Sequence, residues 1–172
     1  MRAMKYLIAL VVVMGVHGSS GASDDCCQEP MPSIAAELSP NDEEAIIRAI
    51  EGYTEGFVAG DVRRLLNLWD THDREQVTYV AVEKDTPIVG VQSLRPYYEE
   101  LIKAHIVYSG EITNVQIHRE GGLAYAFCNY TWVTRSTAGG PVMVTPTRAT
   151  FVLRKRGGQW LYRHFHESVT MR

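Results

Sequence analysis

The second half of the chain most constrains its fold. From residue 110 onward, four stretches rich in β-branched and aromatic residues follow one another with little between them: Gly110 to His118, Leu123 to Arg135, Val142 to Arg156 and Gln159 to Val169. The joints are Gly121-Gly122, Thr137 to Pro141 and Gly157-Gly158, and glycine supplies the positive φ that tight hairpins favour. Connections this short join antiparallel neighbours, because a parallel crossover takes a dozen or more residues. The pattern predicts a four-stranded antiparallel meander, and a sheet of that kind must bury at least one face against something apolar.

The first half supplies the cover. Ser39-Pro40-Asn41-Asp42 is a helix start, with a capping serine, a proline suited to the first turn and an acid three residues on. Ile46, Ile50, Tyr53 and Phe57 then recur at helical spacing up to Gly60. Asp61 caps a second, short helix that turns Val62, Leu65, Leu66 and Trp69 to one side, and a third helix is expected from about Gln92 to Lys103 through Leu94, Tyr97, Leu101 and Ile102. Between these helices, Gln76 to Val82 reads as a strand and Ile88-Val89-Gly90 as a short strand returning beside it. The expected fold class is α+β: a cone-shaped, curved antiparallel sheet of about four long and two short strands, packed against three helices from the N-terminal half. Such a sheet, closed by helices, encloses a cavity.

The 172 residues are 45% hydrophobic, which suffices for one sizeable core, and the net charge of −3 comes without a basic stripe. Nucleic acid is therefore not an expected partner. Arg2 and Lys5, the apolar run Leu7 to Val16 and the small residues Gly18 to Ala22 have the layout of a secretory signal over residues 1–22, cut near Ser23. The apolar run is about half of the roughly 20 residues that span a bilayer, so no membrane segment is expected in the mature form, which would be periplasmic or extracellular. Residues 23–38 read as a linker, with the domain at 39–172. Cys26, Cys27 and Cys128 make an odd count that cannot pair completely within one chain. The adjacent pair either reaches another chain or lies in a tail without structural role. Lipid attachment is disfavoured because Ser23-Asp24-Asp25 precedes Cys26. No zinc-ligand spacing occurs, and neither a metal nor another cofactor is expected.

Two motifs carry a resemblance to known families. Tyr53-Thr54-Glu55-Gly56-Phe57-Val58-Ala59-Gly60-Asp61 resembles the first-helix motif of ketosteroid isomerases and SnoaL-like proteins. The closing segment from Arg156 through Gly158-Gln159-Trp160 to His164-Phe165-His166-Glu167-Ser168 is similar to the end of the association domain of calcium/calmodulin-dependent protein kinase II. Both belong to the superfamily that resembles nuclear transport factor 2, and the resemblance covers roughly residues 39 to 170. It implies a deep pocket between sheet and helices and homodimers, or larger rings, paired through the sheet.

The resemblance also suggests which positions face the pocket. In the kinase-type domain the residue before the terminal serine is an arginine in the pocket; here it is Glu167, and the arginine positions of the two preceding strands fall at Phe151 and Asn129. Strand alternation then places Tyr125, Phe127, Asn129 and Thr131 on the inner face beside Phe151 and Phe165, and Arg163, Phe165 and Glu167 on one face of the last strand. In the isomerases a tyrosine acts with two carboxylates. Tyr53 matches the tyrosine, but the base position falls near Thr78 or Tyr79 and the second acid near Ala149, which disfavours steroid isomerisation. Glu167 either serves as acid or base beside Tyr53 or is neutralised by Arg163. His164 and His166 fall on the opposite face and are expected at a subunit interface. Three functions stay open: a domain binding a small apolar or aromatic ligand through Tyr53, Tyr125, Phe127, Asn129, Phe151, Arg163, Phe165 and Glu167; an enzyme of the polyketide-cyclase or dehydratase kind acting on a hydrophobic carbonyl compound; and a module for oligomerisation.

Overall fold

Helix α1 runs from Pro40 to Ala59, and the four residues spaced for one face, Ile46, Ile50, Tyr53 and Phe57, are all buried. In this computed structural model residues 40–73 and 76–169 are described; the expected export segment and linker, Ser39, Cys26 and Cys27 lie outside them. Gly60 ends α1 at a φ of +63°, a conformation that costs glycine little. Asp61 caps α2 (Val62–Asn67) by accepting from the Arg64 backbone N–H at 3.0 Å. The two helices touch at Gly56, where a Cβ would stand 2.6 Å from a Leu65 methyl.

A short 3-10 turn, Thr71–Asp73, leads to β1 (Thr78–Val80) and β2 (Ile88–Val89), followed by α3 (Val91–Ala104) and the long strands β3 (His105–Glu120), β4 (Leu123–Ser136), β5 (Met143–Arg156) and β6 (Gln159–Val169). The six strands form one sheet in the order β2-β1-β6-β5-β4-β3. The α+β class and the curved, open sheet with three helices are as expected. One pairing departs from the expected antiparallel pattern: β1 runs parallel to β6, with Tyr79 beside Phe165. The chain can do this because α3 and four strands intervene, which is ample crossover. β1 is also shorter than the expected Gln76 to Val82.

β3 begins five residues earlier than the expected Gly110, directly off α3. Ser109-Gly110 looks like a strand break in sequence, yet Gly110 serves a close approach: a Cβ there would meet the Trp132 ring at 2.6 Å and Thr54 Oγ1 at 3.0 Å. Register shifts in β3, between Val107 and Ser109 and between Thr113 and Gln116, add bulges that bend the sheet. Asn114 takes a φ of +54° at the second of them, as asparagine does more readily than most side chains.

The core lies between the helices and the concave face and is predominantly aromatic. Phe165 is stacked between Tyr79, at 4.8 Å and 1°, and Phe151, at 4.4 Å and 8°, so one layer of rings crosses β1, β6 and β5. Each such pair contributes roughly 0.5–1.5 kcal/mol beyond the area it buries. The buried phenols also tie α1 to the sheet: Tyr130 donates to the Ile50 carbonyl at 3.1 Å and Tyr162 to that of Ala49. Two buried acids complete the frame. Asp42, in the first turn of α1, accepts from Arg119 of β3, Lys155 of β5 and the Trp160 indole of β6. Asp70 is fully covered and accepts from Arg156 at 2.8 Å. Burial alone would raise its carboxyl, but hydrogen bonds from Arg156 and the His72 backbone, with the charges of Arg156 and Arg163, bring it below the usual range. Trp69 and Trp160 are buried anchors.

Candidate functional site

A cavity of about 240 Å3 opens between α1, α3 and the concave face. Tyr53 and Phe57 of α1, Tyr79 of β1, Trp132 of β4, Thr147 of β5 and Glu167 of β6 line its inner part, all of them buried. Val82, Glu83, His105, Thr134 and Val169 stand nearer the mouth, and all are at least partly exposed. The wall is largely apolar and aromatic, with few polar groups, which is the usual make-up of a small-molecule site.

Among the described residues Glu167 is the one carboxylate of the inner part. Its Oε1 accepts from Trp132 Nε1 at 2.7 Å and from Thr147 Oγ1 at 2.6 Å. Among the described residues its Oε2 has only the Tyr79 hydroxyl, at a long 3.4 Å. Burial pushes the Glu167 carboxyl above its ordinary range, the donors from Thr147, Trp132 and Tyr79 pull it back in part, and the charge of Glu83 pushes it up again. A carboxyl so placed is suited to exchange a proton nearer neutral pH than a solvated one.

The phenols around it form a connected set. Tyr79 OH lies 3.0 Å from Tyr53 OH and 3.5 Å from Tyr97 OH, while Tyr97 donates to Glu83 Oε1 at 2.6 Å. A phenol has one proton to give. With the Tyr97 proton on Glu83, a Tyr79 that donates to Glu167 is itself free to accept from Tyr53. Burial raises the hydroxyls of Tyr53 and Tyr79 well above their usual range, so both stay protonated donors.

Several placements differ from the sequence reading. Tyr125 is 45% exposed on the convex face, and Phe127, Asn129 and Thr131 alternate with it there. The inward residues of β4 are the other set, Ala124, Ala126, Cys128, Tyr130 and Trp132. The ladder is decisive, since directly paired residues share a face: Ala126 pairs with Phe151 and Tyr130 with Thr147, while Asn129 pairs with the exposed Arg148. Phe151 and Phe165 do face inward, but they are stacked in the core and do not line the cavity.

Arg163 is not the partner of Glu167. A register shift in the β5–β6 ladder makes it the extra residue between Tyr162 and His164, and its guanidinium reaches Gln76 at 2.7 Å and Asp70 at 3.5 Å. The neutralised Glu167–Arg163 pair is thereby excluded. His166 is exposed, and His164 Nδ1 lies 2.6 Å from Thr78 Oγ1. Among the described residues no three of His, Cys, Asp and Glu converge as metal ligands would.

Sequence reasoning missed Trp132, Thr147, Tyr97 and Glu83. The available signal was the run Tyr130, Trp132 at the alternate parity of β4, with a threonine opposite each, Thr147 and Thr145. In sequence Tyr79 and Ala149 mark only places where the isomerase acids are missing. Tyr79 proves to contact Glu167 Oε2, and Ala149 is the direct ladder partner of Glu167. The carboxylate absent from those positions thus stands on the adjoining strand.

Comparison with known proteins places this geometry. Among solved structures, a proposed dehydratase of the NTF2-like family from Streptomyces avermitilis superposes with a TM-score of 0.65 at 22% identity, over 78% of this chain and all of that one. A proposed scytalone dehydratase from Novosphingobium aromaticivorans gives 0.66 at 16% identity, over 76% and 85% of the two chains. A protein from Xanthomonas campestris described as a proposed calcium/calmodulin-dependent protein kinase II association domain gives 0.62 at 18%, over 75% and 86%. No curated protein matches the sequence. The likeness to these structures is one of fold, and the profile of the SnoaL-like domain matches residues 46–172, so the chain belongs to the SnoaL-like family within the NTF2-like fold.

Proposed function

We propose that the protein binds a small apolar or aromatic compound in the cavity above Glu167. One observation carries this reading: an apolar chamber of about 240 Å3 whose inner wall is mainly aromatic and, among the described residues, holds a single buried carboxylate. An engineered cavity of roughly 150 Å3 already accepts benzene, so one ring with a short substituent is the size that suits this one. The test is a thermal-shift and native mass spectrometry screen of single-ring compounds. Stabilisation by members of the screen is expected; if no apolar compound shifts the melting temperature, the binding reading falls.

A second reading, acid–base catalysis of the dehydratase or cyclase kind on a hydrophobic carbonyl compound, draws on a different observation. Glu167 combines a carboxyl raised by burial with an Oε2 that among the described residues has one long contact, and protonated Tyr53 and Tyr79 stand beside it to donate to a substrate oxygen. Two of the similar structures are named as proposed dehydratases, which agrees with this chemistry. Glu167→Gln should then abolish turnover while ligand still binds; turnover that survives removes Glu167 from the mechanism.

Export and pairing through the sheet belong to the same proposal. The export reading expects the mature chain to begin near Ser23, and an N-terminal sequence starting at Met1 overturns it. The convex face carries the half-exposed Leu123 and Tyr125, which suit the homodimer that the NTF2-like fold suggests.

A further inference from the structure

The charges around the cavity restrict what can occupy it. Among the described residues no Lys or Arg lines it, while two carboxylates do, Glu167 inside and Glu83 near the mouth; the one basic group, His105, is exposed. Arg163 is turned away to Asp70 and Gln76. Lys84 packs over the Tyr97 ring with its ammonium 3.7 Å from Glu100. An anionic ligand entering here would be desolvated against two like charges with no buried cation to meet it, which is costly.

The acceptor side is equally specific. Oε1 of Glu167 already takes two short donors, from Trp132 and Thr147, whereas among the described residues Oε2 has only the 3.4 Å contact with Tyr79. What the site offers a ligand is therefore a carboxylate oxygen with spare acceptor capacity, surrounded by Tyr53, Phe57 and Trp132. A group made only of donors and carrying positive charge answers both features: it completes Oε2, compensates the buried charge, and is attracted by aromatic rings. The space left beside it, in a chamber of about 240 Å3, takes a single ring or a chain of similar bulk.

We propose that the ligand of this cavity is a small protonated amine on an apolar ring or chain, with its ammonium on Glu167 Oε2 and its apolar part against Tyr53, Phe57 and Trp132. This deepens the binding reading above and rests on it.

The test uses three probes of one size, 2-phenylethylamine, 2-phenylethanol and phenylacetate, titrated calorimetrically into the purified protein near pH 7.5. The amine should bind at least about tenfold more tightly than the alcohol, as expected for a charge-assisted bond to a buried carboxylate, and phenylacetate should not bind. Glu167→Gln should abolish the amine's advantage over the alcohol. Alcohol binding as tight as amine binding, or a preference for phenylacetate, overturns the amine inference and leaves the binding cavity standing. No binding by any of the three overturns both. The comparison on the unmodified protein decides the matter even if the variant folds poorly.

Discussion

Replacing Glu167 by glutamine isolates what the buried charge does to the fold. The amide is nearly isosteric, its oxygen can still accept from Trp132 Nε1 and Thr147 Oγ1, and its NH2 falls where Oε2 faces the Tyr79 hydroxyl. Desolvation raises the carboxyl in the folded protein, whereas in the unfolded chain it titrates near the ordinary value of about 4.3. Between the unfolded and the folded pKa the native state holds the proton more tightly, so the derivative of unfolding free energy with pH is negative. The stabilising contribution of the protonated group is complete below the unfolded pKa and is lost as pH rises through the folded one. Each unit by which the folded value exceeds the unfolded one corresponds to about 1.4 kcal/mol. Glutamine has no such dependence. Urea unfolding of both proteins at several pH values from 4 to 8.5 should therefore show the variant gaining on the parent by about 1.4 kcal/mol per pH unit across that window, and then a constant gap. The charge of neighbouring Glu83, present in both proteins, adds to that rise in the parent. A gap that stays flat, or narrows as pH rises, would refute the reasoning, because it would mean that the donors outweigh burial and the folded carboxyl is not raised.

Three other outcomes follow from the packing. Gly110→Ala should cost roughly 1–3 kcal/mol and weaken ligand binding, because the new methyl would meet the Trp132 ring at 2.6 Å and that indole holds Glu167; an unchanged melting temperature contradicts it. Asp42→Ala should cost about 2–3 kcal/mol in chemical denaturation, near the lower bound for breaking a buried pair because Lys155 is 38% exposed, while Asp42→Asn should lose less; an alanine variant within about 0.5 kcal/mol of the parent would refute the role given to the network. Tyr125→Asp should convert the expected dimer to a monomer in light scattering and leave cavity binding intact, since Tyr125 is 45% exposed on the face away from the cavity; a parent protein that is already monomeric at micromolar concentration removes the dimer.

The fold was readable because its determinants are local. Helix α1 follows from four apolar residues at helical spacing and a glycine that stops it, and the hairpins at Gly121 and at Gly157-Gly158 follow from residues that adopt positive φ. The exceptions are places where distant contact overrides local preference. Ser109-Gly110 resembles a break, but the strand continues through it because Trp132 and Thr54 press against a residue without a side chain. The parallel pairing of β1 with β6 spans 86 residues, from Thr78 to His164, and no local pattern encodes it.

The site was less readable for a reason specific to strands. Alternation fixes which residues share a face, but it does not say which face is inside, and β4 is apolar on both: Tyr125 and Phe127 on one, Tyr130 and Trp132 on the other. The loop from Thr137 to Val142 is too long to set the register between β4 and β5 as a two-residue turn would. In β6 strict alternation itself fails. Trp160 and Tyr162 point inward at even positions and Phe165 and Glu167 at odd ones, because Arg163 is an extra residue that the β5 ladder skips. That one insertion has two consequences for function. It releases Arg163 from the concave face, so that its guanidinium goes to Asp70, and it carries Glu167 into the row that also holds Thr147 of β5. A strand without the bulge could not bury Tyr162 and Glu167 on the same side. The bulge thus creates, on one strand, both the carboxylate in the cavity and the removal of the cation that could have neutralised it, and the charge character proposed for the ligand depends on that single extra residue.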